Sequence, residues 1–197
     1  MLAWIDGFGW LVCVVYSTIP CYWLMVHPFA KRWRTRPNPY KVLLPLWMSL
    51  WIVLGVLTWR WHSAALYSSA WTWIPAGLLL LLGIRLYAAS GGRFSRRMLV
   101  GEPELSPASE QRLVTGGIRA RVRHPVYAAH LCEMLAWSVG TGLAVCYALT
   151  AFAVLSGMLM IRQEDLELGR RFGEEFSEYR RRVPAVLPRL PSRMHSS

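Results

Sequence analysis

The sequence predicts an all-α integral membrane bundle of about five transmembrane helices. The N-terminus is placed outside, the C-terminus inside, and a cytosolic helix follows the last span. Three observations carry this. Apolar residues make up 54% of the 197 positions, and eleven residues are tryptophan. A single soluble core of this size does not absorb so many. The apolar residues also come in runs of about 20, the length that crosses a hydrocarbon core. Finally, the basic residues alternate with those runs in a way that assigns sides.

The first run, 7–29, ends at His27-Pro28. The second is 42–59, and the third is 71–89, with Trp71 and Trp73 as interface anchors. A polar stretch, 90–123, follows. The run 125–161 is too long for one span and carries Gly140-Thr141-Gly142 at its middle. It reads as a tight hairpin of two spans, roughly 125–140 and 143–161. The chain thus divides into residues 1–89, with three spans, and residues 90–197, with the hairpin and the C-terminal helix. Beyond the last span, Ile161, Leu168, Phe172, Phe176, Tyr179 and Val183 recur at steps of three or four, counting through position 164. That makes an apolar stripe on a cytosolic continuation of the fifth helix. Gly173 is a candidate kink, and Pro184 and Pro188 end the helix.

The net charge is +11. On a soluble domain such a balance points to nucleic acid. Here the basic residues form no such stripe, so no nucleic-acid partner is expected. All the Lys and Arg residues except Arg60 and Arg85 fall in the 30–41 loop, the 90–123 loop or the tail from 162. Those three segments alternate with the spans, which puts them inside, against an anionic leaflet. Arg85 lies near the inner end of the third span, within snorkelling reach. Residues 1–6 lack Lys and Arg, so no cleavable signal peptide is expected. The tryptophan- and arginine-rich composition suggests a bacterial inner membrane. Cys13, Cys21, Cys132 and Cys146 sit in apolar segments without ligand spacing. His27, His62, His124, His130 and His195 are scattered, so no metal is expected. Neither a catalytic triad nor a dinucleotide fingerprint is present.

Three constellations carry candidate chemistry. Arg121, Arg123, His124, Pro125 and Tyr127 sit where the fourth span begins. Pro125 suits a first helical turn, and a helix N-terminus beside arginines attracts anions. A positive flank meeting lipid phosphates is the alternative. Glu164-Asp165, with Glu167, is the second. Position 164 falls on the apolar stripe, where a carboxylate is costly without a partner. It is placed either to bind a ligand's hydroxyls or amine, or to pair with an arginine of the 119–123 cluster. The tight hairpin brings these two constellations to one membrane face. The third is Glu133, the one acid within a predicted span, with His130 as its expected partner. It is either a functional group or a packed hydrogen bond.

Leu113-Val114-Thr115-Gly116-Gly117-Ile118, then Val122-Arg123-His124-Pro125-Val126-Tyr127, resembles the isoprenylcysteine carboxyl methyltransferase and phospholipid methyltransferase superfamily. So do Glu164-Asp165, Leu168, Phe172-Gly173-Glu174-Glu175-Phe176, Tyr179 and Arg182-Val183-Pro184. The similarity covers residues 90–190; residues 1–89 match in hydropathy only. The resemblance implies a membrane methyltransferase that uses S-adenosylmethionine at the cytosolic face and takes a lipophilic acceptor from the bilayer. It implies cofactor binding by Arg123, His124, Pro125, Tyr127, Glu164 and Asp165, with Glu164 as a catalytic candidate; Glu133, as an acid within a span, is the other catalytic candidate. The resemblance also shows departures. Arg119-Ala120-Arg121 stands where the family usually has Tyr-Arg-Tyr. Ala129 replaces a glycine. Met160 stands where prenylcysteine enzymes commonly have an arginine, which puts a prenylcysteine carboxylate acceptor in doubt. The competing readings are an NADPH-dependent membrane reductase like the sterol reductases, and a non-enzymatic protein that binds anionic lipid.

Overall fold

A computed structural model describes residues 3–91, 105 and 112–188. Arg93, Arg96 and Arg97 of the basic loop lie outside the described residues, as do Arg189, Arg193 and His195 of the tail. Among the described residues there are helices and one isolated bridge, Ala65 with Leu143. The α-helices are α1 (Ala3–Ser17), α2 (Ile19–Val26), α3 (Ala30–Arg34), α4 (Tyr40–Thr58), α5 (Trp73–Ala89), α6 (Pro125–Thr141) and α7 (Ala144–Arg182).

The first apolar run is not one straight helix. It breaks at Thr18, because Pro20 in the first turn of α2 has no N–H to continue the ladder. The Thr18 hydroxyl donates to the Val15 carbonyl at 2.6 Å and accepts from the Trp47 indole at 2.9 Å. The break is therefore tied to α4.

The hairpin forms where expected. Gly142 caps α6 at φ 69°, and its N–H donates to the Ser138 carbonyl. The left-handed turn favours glycine. A side chain there would also run into Tyr67, whose segment covers the turn from outside. Leu66 N–H donates to Gly142 O at 2.8 Å, and Ala144 N–H to Ala64 O at 3.0 Å.

Four stretches are long and apolar enough to cross a membrane: 3–34, 40–61, 70–89 and 144–182. About five crossings were expected. The difference is α6, whose 17 residues rise only about 25 Å against a core of about 30 Å. It packs most extensively along α5 and also against α1 and α7. The outward faces of α4 and α5 are apolar and open, with Val56 71% and Leu78 65% exposed. Apolar surface turned outward on this scale is that of a protein whose solvent is lipid.

The main core joins α1, α6 and α7 through Trp10, Cys13, Val14, Met134, Cys146 and Leu149. Gly173, at φ 56° and ψ −126°, interrupts α7. Beyond it the helix turns so that Phe176, Tyr179 and Val183 pack with Leu113, Leu168 and Phe172. The stripe seen in the sequence faces protein.

Candidate active site at the open end of the hairpin

Arms of similar length on either side of Gly142 bring the start of α6 back to the middle of α7. His124, the residue before α6, sits between two adjacent carboxylates. Its Nδ1 is 3.1 Å from Glu164 Oε2, and its Nε2 is 3.3 Å from Asp165 Oδ1. A carboxylate only accepts, so both contacts are satisfied when both ring nitrogens carry protons. Burial alone would lower the imidazole pKa, but Glu164 and Asp165 outweigh it and raise it to about 9.

The two acids divide the work. Asp165 is buried at 5% side-chain exposure and accepts from Arg123 Nη2 at 2.7 Å, with Arg180 Nε at 3.5 Å. Arg123 also donates to the carbonyls of Val183 and Arg180. The backbone closes the same junction: Arg123 N–H donates to Pro184 O and His124 N–H to Ala185 O, both at 2.9 Å. Asp165 thus locks the 119–125 segment to the C-terminal turn. Glu164, with 28% of its side chain exposed, lines a cavity of about 250 Å³.

That cavity, near the low end for small-ligand sites, gathers residues from distant parts of the chain. Arg119, Arg123, His124 and Glu164 make a charged end. Tyr22, Trp23, Trp47 and Tyr87 supply aromatic walls, and His27, His130 and Met160 complete much of the rest. Arg119 donates to the Ser90 carbonyl at 3.2 Å and accepts at its own carbonyl from Tyr179. Tyr127 also lines the cavity, and its hydroxyl donates to the Ala153 carbonyl at 2.5 Å. Its ring lies directly on Gly157, where any Cβ would overlap the phenol oxygen.

The structure therefore brings together Arg123, His124, Pro125, Tyr127, Glu164 and Asp165. It places Glu133 elsewhere. Glu133 hydrogen-bonds Tyr16 of α1 rather than His130, abuts Gly83 of α5, and is not among the cavity's lining residues. Arg162 is exposed on the far side of α7, while Met160 is buried at the cavity. Sequence reading missed Trp23, His27, Trp47 and Tyr87 as site residues. Only the His27-Pro28 stop hinted at His27.

The donor set fits S-adenosylmethionine. A carboxylate suits Arg119 and the free N–H groups in the first turn of α6. Hydroxyls or an ammonium suit Glu164, and a sulfonium or a purine suits the aromatic faces.

No family model matches the chain. The human protein-S-isoprenylcysteine O-methyltransferase is 37% identical over 83 residues, covering 39% of this chain and 27% of the human protein. Over this stretch the chain is similar to isoprenylcysteine methyltransferases. The mouse protein of the same name is 30% identical over 125 residues, covering 59% of this chain and 42% of its own length. The cobalt-zinc-cadmium resistance protein of Cupriavidus metallidurans is 35% identical over 120 residues, or 60% of this chain and 53% of that protein. The chain spans about half, or less, of the curated relatives it matches. Among the described residues no cluster of three or more His, Cys, Asp and Glu side chains could hold a metal ion.

Proposed function

We propose that the chain is a membrane methyltransferase that uses S-adenosylmethionine to methylate a lipophilic acceptor at the cytosolic face of a bacterial inner membrane. The observation that carries this reading is the cavity whose charged end joins Arg119, His124 and Glu164 while its walls are aromatic. S-adenosylmethionine supplies an electrophilic methyl group on a sulfonium. Arg119 and the α6 N-terminus hold the anionic end of the cofactor. Glu164 holds its polar groups, with its position fixed by the imidazolium of His124. Asp165 and Arg180, outside the cavity lining, hold His124 and the C-terminal turn in place together with Arg123, which also borders the charged end. The aromatic walls exclude water, which favours a step that neutralises charge. The acceptor enters from the bilayer side, where the wall is Trp47 of α4 and Tyr87 of α5.

Isothermal titration of the detergent-purified protein with S-adenosylhomocysteine, against NADPH, tests the reading. Saturable binding of the first alone is expected, weakened at least tenfold in Glu164→Ala. Binding of NADPH alone makes the protein a reductase. Silence from both in a folded sample leaves a lipid-binding protein.

A further inference from the structure

The cavity's charged end and its deeper wall have different chemistry. Among the described lining residues, Arg123 is committed to Asp165 and Val183 and His124 to Glu164 and Asp165, while Arg119, which also donates to Ser90, is the cation assigned above to the cofactor's carboxylate. One turn before Glu164, the wall is the thioether of Met160. A second carboxylate, brought in by an acceptor beside the cofactor's own, would lack an uncommitted positive partner among the described residues, and an unpaired anion there is costly. The wall does hold two imidazoles whose ring nitrogens form no hydrogen bond among the described residues, His27 and His130. Polar nitrogens left without partners at a cavity wall call for an explanation.

The two are not equivalent. His27 lies flat on Trp23, with ring centroids 5.2 Å apart and planes at 22°, and it shares the charged end with Glu164. His130 is six residues beyond His124 on α6, about 9 Å further along the axis. It is held edge-on by Tyr16 at 5.2 Å and faces Tyr87 at 6.3 Å. It also borders a second, much smaller void of about 10 Å³ with Tyr127 and Ala153. His130 thus lines the cavity away from its charged end, among Tyr16 and Tyr87.

We infer that the acceptor is a protic nucleophile, a lipophilic thiol, phenol or amine, and that His130 takes its proton. The inference rests on the methyltransferase reading above. In the step, a lone pair of the acceptor atom forms the new bond to the methyl carbon. The methyl–sulfur bond breaks, and its electron pair leaves with the thioether. The acceptor's X–H proton passes to a ring nitrogen of His130. One positive charge moves from sulfonium to imidazolium, so the balance closes without another reactant. A carboxylate acceptor would have no proton to give, and the imidazole would be idle.

The test gives the detergent-solubilised protein methyl-labelled S-adenosylmethionine with four acceptors: dodecanethiol, 4-dodecylphenol, dodecylamine and S-farnesyl-N-acetylcysteine. At least one protic acceptor is expected to be labelled ten or more times faster than the farnesylcysteine carboxylate. His130→Asn and His130→Gln are each expected to slow that transfer about 100-fold or more at pH 7. Their S-adenosylhomocysteine affinity stays within about twofold of the parent, and the deficit shrinks as pH approaches the acceptor's own pKa. The inference is overturned if the carboxylate is labelled as fast as the protic acceptors. It is equally overturned if both variants keep the parental rate and pH profile, or if none of the four is labelled while S-adenosylhomocysteine binds. Failure of the parent to bind S-adenosylhomocysteine at all sinks the methyltransferase reading itself.

Discussion

At the scale of single residues, adjacent acids on one helix have opposite duties. Asp165 is buried among Arg123, His124 and Arg180, so Asp165→Asn leaves buried charge uncompensated. It is expected to cost about 3 kcal/mol of stability, read as a lower melting temperature in detergent. Glu164→Gln keeps the shape of a cavity-lining group but removes one of the two carboxylates on His124; it is expected to lower melting less than Asp165→Asn while weakening S-adenosylhomocysteine at least tenfold. Equal effects of the two substitutions on both readouts would refute the division. His124 adds a pH signature. Its folded pKa is raised from 6.5 to about 9, so the proton is bound more tightly in the folded state. The resulting stabilisation, on the order of 3 kcal/mol, is fully present below about pH 6.5. It is lost as pH rises through about 9. A melting temperature that falls over that window, and a flatter profile in His124→Gln, are expected.

Among the elements, the hairpin sets the site and two glycines set the hairpin. Gly142 turns the chain at φ 69° beneath Tyr67. Gly142→Ala must both adopt that φ and displace Tyr67, so a loss of about 2 kcal/mol or more is expected in thermal unfolding. Gly173 lies in open space at φ 56° and ψ −126°. Its substitution meets no neighbour and acts through the backbone alone. Straightening α7 there would lift Phe176 and Tyr179 from Leu113 and loosen Arg119, which accepts from Tyr179 at its carbonyl. Gly173→Ala is therefore expected to weaken S-adenosylhomocysteine binding more than it lowers the melting temperature. An unchanged affinity would uncouple the terminal helix from the cavity.

For the whole molecule, the question is how it sits in the bilayer. The open apolar faces of α4 and α5 are those of a membrane-embedded protein, and the orientation proposed from the positive-inside pattern would set the basic 30–41 loop and the cavity's charged end on the inner side. Arg34 of that loop pairs with Glu167 of α7 at 3.5 Å, so loop and active helix lie on the same side. A C-terminal fluorescent fusion is expected to be bright and a C-terminal alkaline phosphatase fusion inactive; the reverse would invert the topology. The short α6 makes the crossing count a matter of packing rather than hydropathy. It lies along α5 and beside α7, so protein rather than lipid surrounds much of it.

The sequence by itself determined the class of molecule and which two segments meet at the candidate site. Hydropathy and charge are local and additive, so apolar runs and basic loops are legible without a structure. The Gly140-Thr141-Gly142 turn then requires residues 124 and 164 to meet, because two antiparallel arms of similar length end together. The tertiary structure alone decided which acid lines the cavity, since Glu164 and Asp165 are neighbours in sequence and differ in what surrounds them. It alone gave Glu133 to Tyr16, a partner 117 positions away on another helix, where sequence spacing had offered His130. And it alone recruited Trp23, His27, Trp47 and Tyr87 to the cavity. Those side chains reach it through helix packing and the break at Thr18, and packing between distant segments leaves no trace in a local pattern.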